Sequence, residues 1–183
     1  MLLYSMGVSV DGYISDRHGV FAWSAPSEDL FRFHLERVRG LGATLLGRRL
    51  YEAMRVWETD PAMRDSPDAE DFAAVWTALP KVVFSHTLDR VEGNARLAER
   101  PLAEEVADLM RSTSKNVEIG GADLAAQAIE RDLIDEYRIF RHPVIVGGGP
   151  PLLPSLVQPL RLELIETRGF DSGVIYEHYR RAH

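Results

Sequence analysis

The chain contains no cysteine. This absence excludes disulfides, thiol redox chemistry, a cysteine nucleophile and thiolate zinc sites. No stretch approaches the about 20 consecutive apolar residues that a membrane-spanning helix needs. The first six residues, Met1 to Met6, lack the basic segment and the apolar run of a signal peptide. We therefore expect a cytoplasmic protein with no membrane partner.

Basic charge is also scarce. Lysine and arginine number 21 against 28 acidic residues, which gives a net charge of −7. Binding to nucleic acid needs a basic face, so we expect no nucleic-acid partner, although a local basic spot can still bind one anionic ligand. The six histidines show no spacing typical of a metal site, and we expect no metal. Length and composition suit one globular domain over residues 1–183.

The pattern of apolar residues predicts alternating strands and helices. Residues 2–10 alternate with period two, which indicates a strand that ends at Asp11-Gly12. The same criteria predict strands at 43–46, 81–85, 117–119 and 135–146, helices at 28–39, 48–57, 72–79, 101–111 and 122–131, a mobile loop at 58–71, and a C-terminal hairpin around 171–173. Repeated strand–helix units followed by a hairpin predict an α/β fold, with a mostly parallel sheet and antiparallel C-terminal strands.

Three predicted strands end in turns that suit a nucleotide. Gly120 and Gly121 follow Ile119 and precede a helix, where free N–H groups and the helix dipole favour a phosphate. A plain tight turn is an equally good interpretation of these two glycines alone. The G-x-G-x-x-G fingerprint is missing, so the usual dinucleotide motif is excluded.

The second turn, Gly47-Arg48-Arg49, opens a helix with two cations, which the helix dipole disfavours. A bound anion would offset that cost, and a guanidinium suits the 2′-phosphate that distinguishes NADP from NAD. The alternative is a solvated pair of arginines that bridges to nearby acids.

The third turn carries Ser85 and Thr87 after a strand. Their hydroxyls could bind phosphate or ribose, or could cap the following turn. Because ligands lie beyond the carboxyl ends of parallel strands, the three turns together favour a nucleotide site more strongly than any one of them.

Asp11 is the candidate catalytic residue. A regular strand would place it on the small-residue face with Gly7 and Ser9, where burial would raise its pKa. It could then bind an amino-pyrimidine edge or relay a proton beside the atom that takes hydride. The alternative is a turn aspartate that bonds its own backbone. The triple glycine at 147–149 is interpreted as a structural chain reversal.

These motifs resemble the dihydrofolate reductase-like superfamily, and within it the reductase domain of the bacterial riboflavin-biosynthesis protein and its stand-alone relatives. The resemblance runs nearly the full length of the chain. It is carried by the order and spacing of short strings: Ser9 to Ile14, Leu46 to Arg49, Pro80 to Ser85, Ile119 to Ala122, Leu133 to Glu136, and Pro143 to Gly149.

The resemblance implies a three-layer fold with helices on both faces of the sheet, NADPH as cofactor, and hydride transfer to a pterin-like or pyrimidine ring. By matching motif, the implied cofactor contacts are Ile14 near the nicotinamide, Gly47, Arg48 and Arg49 at the adenosine phosphates, Ser85 and Thr87 near the ribose phosphate, and Gly120, Gly121 and Ala122 at the pyrophosphate. Asp11 corresponds to an acid that faces the substrate.

This chain also departs from its relatives. Leu50 stands where many of them have threonine, so one hydrogen bond to phosphate or backbone is expected to be missing. A zinc deaminase domain is excluded, because the chain has neither the cysteines nor the length for one. We expect an NADPH-dependent reductase of a small heterocycle; the alternative is a non-catalytic nucleotide or metabolite-binding module on a reductase fold. A homodimer through the 135–146 strand region is also expected.

Overall fold

The computed structural model describes residues 1–182, which form one eight-stranded sheet and six α-helices. The strands are β1 (Leu2–Ser9), β2 (Leu41–Gly47), β3 (Lys81–Phe84), β4 (Ala95–Leu97), β5 (Asn116–Gly120), β6 (Glu136–His142), β7 (Leu162–Gly169) and β8 (Ile175–Arg181). The helices are α1 (Glu28–Arg39), α2 (Arg48–Met54), α3 (Val56–Thr59), α4 (Pro67–Ala78), α5 (Leu102–Ser112) and α6 (Ala122–Glu130).

The strands lie in the order β4-β3-β2-β5-β1-β6-β8-β7. Every neighbouring pair from β4 to β6 is parallel, whereas β8 is antiparallel to both β6 and β7. The predicted α/β fold, with a mostly parallel sheet and an antiparallel C-terminal hairpin, is confirmed.

Helices cover both faces of the sheet, because successive strand residues point to opposite sides. Leu2, Tyr4 and Val8 of β1 pack in a core cluster with the buried residues of α5 and α6. Leu3 belongs to a second cluster on the other face, together with α1, α2 and α4. The three-layer arrangement that the resemblance implies is therefore present.

The predicted strand at 135–146 is too long. β6 ends at His142, and Pro143 follows, which lacks the N–H that a strand inside a sheet donates. The chain then reverses through Gly147, Gly148 and Gly149, all of which have positive φ. A Cβ on Gly149 would collide with the backbone at Ser15, so this glycine is required by close packing. β6 is also paired on both sides, by β1 and β8, and its edge is closed to a second subunit.

The predicted loop at 58–71 is wrong in part. α4 begins at Pro67 rather than near residue 72, because Ser66 caps it: its hydroxyl accepts a hydrogen bond from the N–H of Ala69 at 3.2 Å. The predicted helix at 48–57 is divided into α2 and α3. The short edge strand β4 was not predicted from the sequence.

A buried carboxylate joins β4 to α5. Glu105 is fully buried and accepts hydrogen bonds from the guanidinium of Arg96 and from the N–H groups of Glu99 and Arg100 at 2.9 and 3.2 Å. The hydrogen bonds from Arg96 are the largest cause of a lowered pKa at Glu105. This carboxylate therefore holds the connection from β4 to α5 only while it is ionised.

Candidate functional site

The three predicted nucleotide turns meet at one edge of the sheet. β3, β2 and β5 are neighbours, and their registers pair Gly47 with Phe84 and Leu46 with Gly120. Because the three strands are parallel, the turns after them lie side by side at their carboxyl ends. This brings the candidate phosphate contacts together, as the sequence predicted.

The turn between β5 and α6 forms a cradle of backbone atoms. Gly121 has φ +94°, and a Cβ at this position would lie 3.7 Å from the backbone nitrogen of Gly47. The N-cap of α6 has no side-chain hydrogen bond, and the first backbone hydrogen bond of the helix runs from Ala125 to the carbonyl of Gly121. The N–H groups of the first turn are therefore donors for an anion.

Gly120 has a different role from Gly121. A Cβ at position 120 would collide with the Cδ2 methyl of Leu50, on α2. Leu50 itself packs in the core cluster beneath α1, α2 and α4. Its side chain therefore serves packing, where the sequence suggested only a missing hydrogen bond. Gly120 is required by this contact rather than by an unusual backbone conformation.

Arg48 is held in place beside the third turn. Its guanidinium donates hydrogen bonds to the hydroxyl of Thr87 at 2.5 Å and to the carboxylate of Glu52 at 2.8 Å. Arg49 is exposed on the same turn. Arg48 thus makes the acid bridge that the sequence left open, and it also reaches the turn after β3.

Ser85 mainly stabilises its own turn. Its hydroxyl accepts hydrogen bonds from the N–H groups of Thr87 and Leu88 at 3.1 and 3.0 Å. The Thr87 hydroxyl lies 3.4 Å from it and contacts Arg48. Of the two interpretations of Ser85, the structure shows the turn cap, which places Thr87 beside the arginine.

Asp11 lies outside the strand, so the parity argument for its direction is wrong. β1 ends at Ser9, and a turn follows in which the N–H of Gly12 donates to the carbonyl of Ser9 at 3.0 Å. The Asp11 carboxylate accepts hydrogen bonds from the N–H groups of Val146 and Gly147 at 3.1 and 2.8 Å. These two donors are on the glycine-rich reversal that follows β6.

The expected pKa of Asp11 is also wrong. A hydrogen bond from the Ser9 hydroxyl, helped by the two backbone donors, lowers the pKa of this carboxyl instead of raising it. Asp11 is therefore ionised at neutral pH and poorly suited to give a proton to a substrate. Its observed contacts join the turn after β1 to the turn after β6.

Ile14 lies beside this junction. Its N–H donates to the carbonyl of Pro150 at 3.0 Å, and its side chain packs against the core cluster that includes Leu152. Tyr13 forms an isolated bridge with Pro151. The segment after β1, which the resemblance assigns to the nicotinamide, is thus fixed by the segment after β6.

One buried side chain near this end was not singled out from the sequence. His142, the last residue of β6, is 4% exposed, and its Nε2 lies 3.3 Å from the position of a Cβ on Gly7. Trp23 packs edge-on against the His142 ring with 5.5 Å between ring centroids. Trp57 packs in the core with Phe31 and Phe72.

Within residues 1–182, no group of three or more histidine, aspartate or glutamate side chains is arranged to hold a metal ion. Among the helices of the same residues, none combines the length and apolar character needed to cross a membrane. A cavity of about 490 Å³ opens between α2 and residues 87–92; it is lined by Tyr51, Thr87 and the ion pair of Arg55 with Glu92.

The mostly parallel sheet with its antiparallel C-terminal strands defines a class of α/β reductase folds, and comparison with known proteins identifies the family. Residues 1–176 match the RibD C-terminal domain, and the chain belongs to that family. Two uncharacterised proteins of Bacillus subtilis (strain 168) are similar over 179 residues. YyaP is 29% identical, over 95% of this chain and 91% of its own length. YwjB is 28% identical, over 97% and 95%.

Solved structures agree with this assignment. A candidate riboflavin biosynthesis protein from Shewanella sp. PV-4 has a TM-score of 0.77 and 25% identity, and the match covers 100% of this chain and 99% of that one. A pyrimidine reductase-like protein from Corynebacterium diphtheriae shares the fold, with a TM-score of 0.66, 15% identity and coverage of 100% and 92%. A deaminase/reductase from Thermotoga maritima has a TM-score of 0.67 and 18% identity; the match covers all of this chain but 56% of that protein.

Proposed function

We propose that this protein is an NADPH-dependent oxidoreductase that transfers hydride to a small pterin-like or pyrimidine heterocycle. The observation that carries the proposal is the alignment of three anion-type turns on neighbouring strands β3, β2 and β5. Membership of a reductase family supports the same activity.

The order of the strands matches an extended dinucleotide. Neighbouring strands lie about 5 Å apart, so the turns after β3, β2 and β5 span about 10 Å along the sheet edge. Thr87 and Arg48 stand at one end of this row, and Gly121 stands at the other. Of the next two strands, β1 is followed by the segment that holds Ile14, and β6 ends at His142. An adenosine phosphate bound near Arg48 would thus leave the nicotinamide close to β1.

The residues present fit the cofactor. Gly47, Gly121 and the first turn of α6, which includes Ala122, offer a backbone cradle for the pyrophosphate; Gly120 lets α2 approach through Leu50. Arg48, Arg49 and Thr87 would hold the 2′-phosphate, with Ser85 fixing their turn. NADPH would supply the hydride when bound, and the chain's own groups would orient it. We propose that Asp11 positions the turns after β1 and β6 at the hydride end and acts there as an anion rather than an acid.

A non-catalytic binding module is the second candidate. The Asp11 carboxylate already accepts two backbone hydrogen bonds, and the His142 ring at the end of β6 is covered on one side by Trp23. Such a protein would bind NADPH without reducing a substrate.

The direct test is to titrate the purified protein with NADPH and with NADH by calorimetry. We expect binding of NADPH at micromolar concentration and at least about tenfold weaker binding of NADH. Absence of NADPH binding at millimolar concentration would refute both candidates. Turnover across pterins, pyrimidines and quinones separates them, since the binding module oxidises no NADPH with any of these compounds.

We propose that the protein acts in the cytoplasm, by analogy with its family, and that it forms a homodimer. Its partners would then be the heterocyclic substrate and a second copy of the chain.

A further inference from the structure

Three side chains meet over the end of β1. Gly7 lies on the small-residue face of this strand, and the ring of His142, which pairs with Ser9 two residues further along β1, reaches back over it. Trp23 packs on the His142 ring, and the Cβ of Ser24 lies 3.9 Å from the position of a Cβ on Gly7. A Cβ at position 7 would press on the His142 ring at 3.3 Å, so glycine suits this arrangement.

His142 is an unusual residue to bury here. Burial is the cause that lowers its pKa, with neither a carboxylate nor a hydrogen-bond partner contributing. Its imidazole is thus neutral at physiological pH and offers one N–H donor and one nitrogen acceptor. Buried polar atoms are normally paired, so a ring left in this state has capacity for a ligand.

The segment that carries Trp23 makes mostly local hydrogen bonds. The indole N–H donates to Val20 at 3.2 Å, and the hydroxyl of Ser24 donates to Phe21 at 2.7 Å. Phe21 and Val20 are exposed. The contact of this segment with His142 is made by the indole ring of Trp23.

We propose that His142 and Trp23 form the binding site for the substrate ring. His142 hydrogen-bonds the polar edge of an uncharged planar nitrogen heterocycle, and Trp23 packs against that ring. This inference rests on the proposed function, because the site is placed next to the nicotinamide by the order of the strands. A neutral, buried imidazole selects an uncharged ring, since burying a charge without a partner is costly.

The geometry favours a ligand contact over a role in packing alone. A phenylalanine would fill the same space at the end of β6 without two ring nitrogens that need hydrogen-bond partners. His34 provides the comparison, because its imidazole is half-buried and its ring packs on Phe140 with 4.4 Å between centroids. Burial lowers the pKa of His34 to about 3.

The test measures binding rather than turnover. Two uncharged probes, 5-aminouracil and pterin, are titrated by calorimetry into the wild-type protein, with and without saturating NADPH. We expect at least one probe to bind, and His142→Phe to weaken that binding by about tenfold or more, as expected for a lost buried hydrogen bond. His142→Gln, whose amide also has a donor and an acceptor, recovers part of the loss. The dissociation constant for NADPH stays unchanged in both variants.

His34→Phe is the matched control and leaves probe affinity within about twofold of wild type. A fluorescence readout assigns Trp23: the probe quenches indole emission in the wild type but not in Trp23→Phe, which keeps Trp57 and Trp76. The inference is overturned if neither probe binds at millimolar concentration or if His142→Phe binds the probe as well as wild type does. It is also overturned if His142→Phe and His34→Phe lose probe affinity equally. Failure of NADPH to bind overturns the proposed function instead, and the titrations without NADPH keep the two outcomes separate.

Discussion

The Cδ2 methyl of Leu50 occupies the space that a Cβ at position 120 would need, so the glycine after β5 and the leucine on α2 depend on each other. This contact joins the turn after β2 to the turn after β5 from inside the protein. The backbone cradle at Gly121 therefore rests on a hydrophobic contact one residue away.

Gly120→Ala tests this dependence. We expect the extra methyl group to push α2 outward and to destabilise the fold by about 1–3 kcal/mol, as overpacking does. NADPH affinity should fall with it, because Arg48 and Arg49 lie on the displaced helix. Chemical denaturation and NADPH titration measure the two effects.

Leu50→Ala in the same chain is the compensating change. The double variant should bind NADPH better than Gly120→Ala alone, since the smaller side chain gives the methyl group room. If the double variant loses stability as the sum of the two single changes, the contact does not explain the glycine.

Much of the fold could be predicted because its strands have strong period-two or apolar patterns. The sequence located β1, β3 and β5, and it placed three turns at strand ends that the sheet then brings side by side. It overextended β6, because the apolar run continues past Pro143 even though the sheet does not. It also missed β4, whose three residues carry too short a pattern to distinguish from a loop.

The site could be predicted less well than the fold. Glycines and arginines at strand ends were visible as motifs, but the direction of Asp11 depended on where β1 stops. Because β1 is one residue shorter than predicted, the Asp11 carboxylate does not lie on the small-residue face. It accepts hydrogen bonds from the backbone of Val146 and Gly147 instead. His142 lay in a predicted strand with no motif of its own, and only the pairing of β6 with β1 places it opposite Ser9, with its ring beside Gly7.

Acid should weaken the connection between β4 and α5. The pKa of Glu105 is lower in the folded protein than in the unfolded chain, so its contribution is present above the unfolded value of about 4.3 and is lost as pH falls through the folded value. We expect Glu105→Gln to have a lower melting temperature than the wild type at pH 7. Below pH 4 the difference in melting temperature between the two proteins should become smaller. Thermal melts across this range provide the measurement.

Glu104→Gln is the control, since this neighbouring side chain is exposed. Its melting temperature should follow that of the wild type at each pH. A difference between Glu105→Gln and wild type that stays constant down to the lowest pH would argue against ionisation of Glu105 as the cause.

A homodimer that forms by strand pairing should use β7, since β6 is internal and β7 is the long outer strand of the sheet. The register of β7 on β8 shifts between Leu164 and Glu166, so Glu163 and Arg168 share a face. Antiparallel pairing of two copies about this shift sets Glu163 opposite Arg168 of the partner subunit, twice by symmetry.

Charge reversal tests this register. Glu163→Arg should raise the dissociation constant of the dimer, measured by sedimentation velocity, and Glu163→Arg combined with Arg168→Glu should restore it. Glu130→Arg, on the exposed side of α6, should have no effect. A monomeric wild type, or a dimer that all three variants leave intact, would exclude pairing along β7.

The preference for NADPH over NADH should depend on Arg48 and Arg49 to different degrees. Arg48 already donates to Thr87 and Glu52, which fixes its guanidinium beside the turn after β3, whereas Arg49 is exposed on the same turn. We expect Arg48→Ala to weaken NADPH by about tenfold or more and to change NADH by less than about twofold, because the lost contact is a charge-assisted hydrogen bond to the 2′-phosphate. Both arginines are exposed, but Arg48 is the one fixed beside the turn after β3, so Arg49→Ala should have a smaller effect of the same sign. Calorimetry with both nucleotides measures the four constants, and Arg55→Ala, which removes the exposed pair with Glu92, serves as control. An equal loss of NADPH and NADH affinity in Arg48→Ala would show that the 2′-phosphate does not bind at this turn.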